Sequence, residues 1–242
     1  QAGPAQASLF QHLYRAVIDM TIMWYLVLLC FGALMLDITS ACSYFEVKAP
    51  NDTWVIGRTM ELGLGGGGAN EYQSNPSSWV VALHPRGQDG AYVNRYGYLG
   101  LDSTDRKSWT SSDGMNEMGL TISAHTMRMA EYESADPRRT RLALPDVIPW
   151  LLGHCDSVIC VEQALENASV VSGDATQEDF IHWAIADAYG KSIVLEYVGG
   201  RRFIHSNDAR IMTNDPDYPW HLKNLNMYVG LTPLTPDANL PL

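Results

Sequence analysis

The stretch ITSACSYF, residues 38–45, lies where a long apolar run stops and a chain patterned for water begins. Residues 20–36, MTIMWYLVLLCFGALML, carry no charge. Their uninterrupted core from Ile22 to Leu36 is short for a bilayer-spanning helix, which needs about 20 residues. A secretory signal fits better, because Thr39 and Ala41 put small side chains at the two positions that a signal peptidase inspects, with cleavage expected between Ala41 and Cys42. A retained signal anchor is the alternative. A bacterial lipoprotein signal is disfavoured, since Thr39 stands where an aliphatic residue is required. Residues 1–41 are therefore expected to be upstream residues and signal peptide, and 42–242 a single domain. Cleavage would make Cys42 the mature N-terminus and direct the product to a secreted, periplasmic or lysosomal location.

Composition narrows the remainder. Against 16 Lys and Arg stand 27 Asp and Glu, a formal net charge of −11. That balance argues against nucleic acid or an anionic membrane surface as a partner. No stable membrane association is expected after processing. Outside the apolar run the cysteines are Cys42, Cys155 and Cys160. Cys155 and Cys160 are either a disulfide pair or two small core residues. The sequons Asn51-Asp52-Thr53 and Asn167-Ala168-Ser169 suit a glycoprotein exported through a eukaryotic route.

Along residues 42–242, strand patterns come first: 43–47 and 53–60 as a hairpin about Pro50-Asn51-Asp52, then 79–85, 91–101 and 119–127. A helical block follows, with Pro145 and Pro149 near the start of 143–154 and a Ser157 cap for 157–168. Strands return at 180–187, 192–198 and 201–206. The order strands, helices, strands suggests sheets layered with helices, an α+β arrangement. GLGGGG (63–68) satisfies G-x-G-x-x-G but is followed by Asn70, Asn75, Pro76 and Ser77 where a helix should open, so a dinucleotide site is rejected. Gly190-Lys191-Ser192 lacks the first glycine of a phosphate loop. There is no H-E-x-x-H, no zinc-spaced cysteine pair and no G-x-S-x-G, so no metal or cofactor is expected.

Cys42 remains. A free thiol has a reference pKa near 8.5 and an α-amino group one of about 7.7–8.0, so an N-terminal cysteine carries a nucleophile and a base suited to neutral pH on one residue. Arg58, across the expected hairpin, would favour a thiolate. Glu61 would hold or orient the amine.

The blocks C-S-Y-F, G-R-T-M-E, D-G-M-N-E-M-G-L (113–120), H-W-A-I-A-D-A-Y-G-K-S-I-V-L-E-Y (182–197) and M-T-N-D-P-D-Y-P-W-H-L-K-N-L (212–225), in that order, resemble the choloylglycine hydrolase and penicillin V acylase family of N-terminal-nucleophile hydrolases. The resemblance runs from Cys42 to about Pro233. It implies a four-layer αββα sandwich, incomplete at the C-terminus, and hydrolysis of linear amides such as penicillin V or conjugated bile acids through an acyl-cysteine. By the same resemblance Cys42 is nucleophile and base, and Arg58 is the arginine beside the thiol. Glu61 takes the place of the usual aspartate, and Asn214 is the side-chain donor to the oxyanion. The Thr126 backbone N–H is the second donor, with His125 a rival by one register. Leu62, Leu64, Tyr72, Met127, Met129, Tyr132 and Leu142 are candidates to line an acyl pocket. The expected partner is a small N-acyl amide, and homo-oligomers are expected from the family. The rival reading is a secreted, catalytically weak relative that acts as a binding or structural protein.

Overall fold

The structure is a computed structural model that describes residues 42–60, 79–89, 92–104, 111–175 and 180–228. The apolar run 20–36, the GLGGGG stretch, Glu61, Leu62, Leu64 and Tyr72 lie outside these residues.

The first hairpin forms as its pattern requires. Strands β1 (Ser43–Lys48) and β2 (Trp54–Thr59) pair antiparallel from Ser43 opposite Thr59 to Lys48 opposite Trp54. A two-residue strand, β14 (Ile211–Met212), joins the other edge of β1. Strands β3 (Trp79–His84), β6 (Tyr98–Ser103), β7 (Ser111–Asn116), β8 (Thr121–Thr126), β11 (Ile181–Ala186), β12 (Ser192–Val198) and β13 (Arg201–Ser206) build the large sheet. Its order is β13-β12-β11-β8-β7-β6-β3. The segment expected as one strand over 91–101 is two, because Gly153 O accepts the N–H groups of Arg95 and Tyr96 and bends the chain there. Its first half, β5 (Tyr92–Asn94), pairs with β4 (Gly87–Asp89), which lies within the expected turn. Strands β9 (Thr140–Ala143) and β10 (Ala168–Val171) form a short parallel pair.

The large sheet alternates between two environments, as period-2 side chains must. One face packs Ile122, Trp183, Ile185, Ile193, Leu195 and Tyr197 against helices α1 (Val147–His154) and α2 (Val158–Glu166). Each large apolar side chain so buried contributes roughly 1.5–3 kcal/mol. Ser157 caps α2, its Oγ accepting the Cys160 N–H at 3.3 Å, as its sequence position suggests. The other face meets the small sheet: Tyr44, Met212 and Tyr218 close over Ala184 and Val194. The described residues thus form helix, sheet and sheet layers, an α+β sandwich. Among them no helix is long and apolar enough to cross a membrane. Cys155 and Cys160 are free thiols.

Candidate active site

The alternation of β1 turns Cys42, Tyr44 and Glu46 inward, at 7%, 2% and 8% exposure. Ser43 and Phe45 face outward. Tyr44 lies opposite Met212 in the β1–β14 ladder, and that register, continued two residues, sets Cys42 opposite Asn214. Hydrogen bonds secure the pairing. Cys42 N donates to Asn214 Oδ1 at 2.5 Å, and Thr213 Oγ1 donates to Cys42 O at 2.7 Å. The Asn214 Nδ2 donates to Thr126 O at 3.0 Å. A carboxamide nitrogen carries two N–H groups, so one remains for another acceptor.

Thr126 ends β8, and its backbone direction follows from the ladder. Met127 N donates to Phe180 O, and Thr126 lies opposite Ile181. In an antiparallel ladder, hydrogen-bonded and non-hydrogen-bonded pairs alternate. Thr126 is therefore a non-hydrogen-bonded partner, and both its N–H and its C=O point away from β11, on the side where Asn214 meets the carbonyl. His125, opposite His182, falls on a hydrogen-bonded pair, so its N–H is engaged by β11. Of the two expected registers, Thr126 is the one with an N–H directed toward Asn214.

Arg58 lies opposite Tyr44 on β2, two residues further along the hairpin than Cys42. Its guanidinium crosses to the large sheet, where Nη2 donates to Ala124 O at 2.7 Å and Nη1 lies 2.9 Å from Asp113 Oδ2. These contacts place the cation against the large sheet, in partnership with a carboxylate. Asp113 accepts from Ser112 Oγ at 2.8 Å and from Ser123 Oγ. Burial pushes the Asp113 carboxyl above its ordinary range, against the opposing pull of Arg58 and the two serines. Beside it His125 is 1% exposed, and burial, then Arg58 and His182, hold its imidazole down to about 2, which keeps it neutral.

The pocket candidates separate. Leu142, 1% exposed, packs in the core under the helices and has no surface for a ligand. Tyr132 packs, partly buried, against the same core: its hydroxyl donates to Ile181 O at 2.6 Å and accepts from Ile181 N at 2.8 Å, completing the backbone bonds that Ile181 turns away from β8. Its ring meets Phe180 and Tyr197. Met127 is wholly buried. Met129 is 43% exposed and its N–H approaches Asp215 Oδ1 at 3.3 Å, next to Asn214. Sequence reasoning missed Asp113, Ser123, Thr213, His182 and Glu196. A usable signal was present: polar residues recur at every second position within strands that are otherwise apolar, as in Ser123 and His125 or His182.

Comparison with known proteins follows the same chain segment. Residues 42–240 match the linear amide C–N hydrolases, choloylglycine hydrolase family. A bile salt hydrolase/transferase of Clostridium perfringens is 33% identical over 199 residues, covering 78% of this chain and 58% of the relative. A penicillin V acylase of Pectobacterium atrosepticum is 26% identical over 229 residues, covering 84% and 57%. Among solved structures, a variant of conjugated bile acid hydrolase from Clostridium perfringens superimposes with a TM-score of 0.66 at 26% identity, covering 79% of this chain and 58% of that one. The chain thus spans under three-fifths of the length of these relatives. With the matched segment opening at Cys42 and running through Asn214, the chain belongs to the choloylglycine hydrolase family of linear amide C–N hydrolases.

Proposed function

We propose that the protein hydrolyses linear N-acyl amides through Cys42 after cleavage of the Ala41–Cys42 bond during export. With Ala41 attached, the Cys42 nitrogen is an amide and cannot act as a base. Cleavage turns it into an amine beside Asn214 Oδ1, an acceptor that fixes its orientation. The Cys42 sulfur attacks the substrate carbonyl carbon as the amine takes the thiol proton. The free N–H of Asn214 and the Thr126 N–H receive the developing oxyanion. The C–N bond then breaks, the proton passes to the leaving nitrogen, and water hydrolyses the thioester to release the acid. Arg58 contributes positive charge on the sheet below, moderated by Asp113. The family resemblance assigns Glu61 the role of orienting the amine, and Met129 is given a place on the acyl side.

The observation that carries this reading is the position of one carboxamide, Asn214, between Cys42 N and Thr126 O. The relatives' names supply the substrates to try, a conjugated bile acid and penicillin V. Processed protein is expected to release the amine from at least one of them, and Cys42→Ser to lower that rate by at least about 10³-fold, in line with the loss of a nucleophile elsewhere. Release from neither substrate, or undiminished release by Cys42→Ser, would overturn the proposal.

A further inference from the structure

The turn that carries Asn214 is held from below by a buried ion pair. His182 in β11 and Glu196 in β12 are both 0% exposed, and Nδ1 lies 2.8 Å from Oε1. The other ring nitrogen, Nε2, lies 2.7 Å from the carbonyl oxygen of Thr213, the residue before Asn214. The same Oε1 accepts the backbone N–H of Tyr218 at 2.8 Å, at the far end of the turn. One pair therefore grips both ends of segment 213–218. Between those ends, Thr213 bonds Cys42 O, and Asn214 bonds Cys42 N and Thr126 O. His221 Nε2 adds a contact to Asn214 O at 2.9 Å.

The protonation pattern follows from the partners. A carbonyl oxygen and an ionised carboxylate can only accept, so His182 makes both bonds only when both ring nitrogens carry protons. Burial alone would push the Glu196 carboxyl up, but His182, His205 and the Tyr218 N–H outweigh it and hold it down to about 2. His205 Nε2 stands 3.4 Å from the second oxygen, Oε2. A well-packed apolar pair of similar volume is often as stable as a buried ion pair. Fold stability is thus a weak explanation for an ion pair here. Two charge-assisted bonds of fixed direction do something an apolar pair cannot: they set where a neighbouring carbonyl sits.

We propose that His182 and Glu196 are positioning residues for amide hydrolysis, which hold the Thr213 carbonyl and, through it, align the Asn214 amide with Cys42 and Thr126. The inference rests on the roles given above to Cys42 and Asn214. Neither residue of the pair touches the substrate. The test compares kcat per active thiol in processed wild type, His182→Leu, His182→Gln and Glu196→Gln, the active thiol being counted as iodoacetamide-alkylated Cys42 by mass of the N-terminal peptide, since Cys155 and Cys160 are free thiols too. His182→Leu is expected to lower kcat per titrated thiol about 10- to 100-fold, the scale of a misplaced catalytic group, with KM changed less than about threefold. His182→Gln, whose amide can donate to the Thr213 carbonyl, is expected to recover at least about fivefold of that loss. Should His182→Leu fail to fold, Glu196→Gln, which keeps an acceptor for Tyr218 N–H but gives up the charge, is expected to show about a tenfold loss. A kcat per titrated thiol within twofold of wild type in folded His182→Leu or Glu196→Gln would overturn the inference. So would a loss confined to the number of titratable thiols, which is what a purely structural role produces. A wild type with no turnover would instead overturn the parent reading, and this inference with it.

Discussion

A carboxamide offers an acceptor and two donors, and Asn214 commits the acceptor to Cys42 N and one donor to Thr126 O. These two bonds fix which way the amide faces, since exchanging oxygen and nitrogen would set donor against donor and acceptor against acceptor. The arrangement separates two functions that one substitution would otherwise confuse. Asn214→Asp keeps an acceptor for the amine but has no N–H for Thr126 O or for an oxyanion. Its kcat is expected to fall about 10²- to 10³-fold, as far as that of Asn214→Ala, with KM little changed. Steady-state kinetics of both variants check this, and an Asn214→Asp enzyme near wild-type rate would show that the acceptor alone matters. Cys42 and Asn214 were legible in the sequence as a cysteine after a cleavage pattern and an asparagine in a family block. Their contact was not, because it joins residues 172 positions apart. Leu142 was misplaced for a simpler reason: an apolar residue in a loop-like stretch has the same spelling whether it lines a pocket or fills the core.

Among the elements, β11 and β12 announced themselves through runs of β-branched and aromatic residues, and the structure keeps the expected 192–198 span and trims the expected 180–187 by one residue at each end. Strand β7 did not. Its sequence, SSDGMN, has turn composition, yet it pairs centrally between β6 and β8. Each polar group there finds a partner: Asp113 has Arg58 and two serines, and Asn116 Nδ2 donates to Leu152 O at 2.9 Å and to Cys155 O at 2.6 Å. Tertiary contacts thus override strand propensity. Gly114 completes the fit, because a side chain there would run into Leu152 Cδ1 of α1 and stand 2.8 Å from Leu99 O. The carbonyl is backbone within the sheet and cannot swing away. Gly114→Ala is expected to destabilise the protein by about 1–3 kcal/mol, the usual range for overpacking. Urea unfolding measures it, and an unchanged midpoint would mean that α1 can lift from the sheet without cost.

Across the whole molecule, the two sheets meet over a mixed layer instead of a purely apolar one. Glu46 accepts from Tyr44 and Ser192 and pairs with Arg210 at 2.7 Å, while Arg58 meets Asp113 and His182 meets Glu196. The layered α+β class could be taken from the order of strands and helices, but not this layer, since its partners come from distant strands. Its charges make stability depend on acid. The Glu196 carboxyl is held below its ordinary value of 4.5, at about 2, so its stabilisation is complete above pH 4.5 and fades as pH falls toward 2. Melting temperature is expected to drop more steeply between those pH values in wild type than in Glu196→Gln, and parallel curves would contradict a native-state carboxylate at this site. The account as a whole turns on the nitrogen of Cys42. The most direct measurement is turnover of the same chain carrying a free Cys42 and of one whose residue 41 is blocked from removal, with mass determination of both N-terminal peptides. The account predicts hydrolysis only by the chain that begins at Cys42; equal hydrolysis with Ala41 still attached would contradict it.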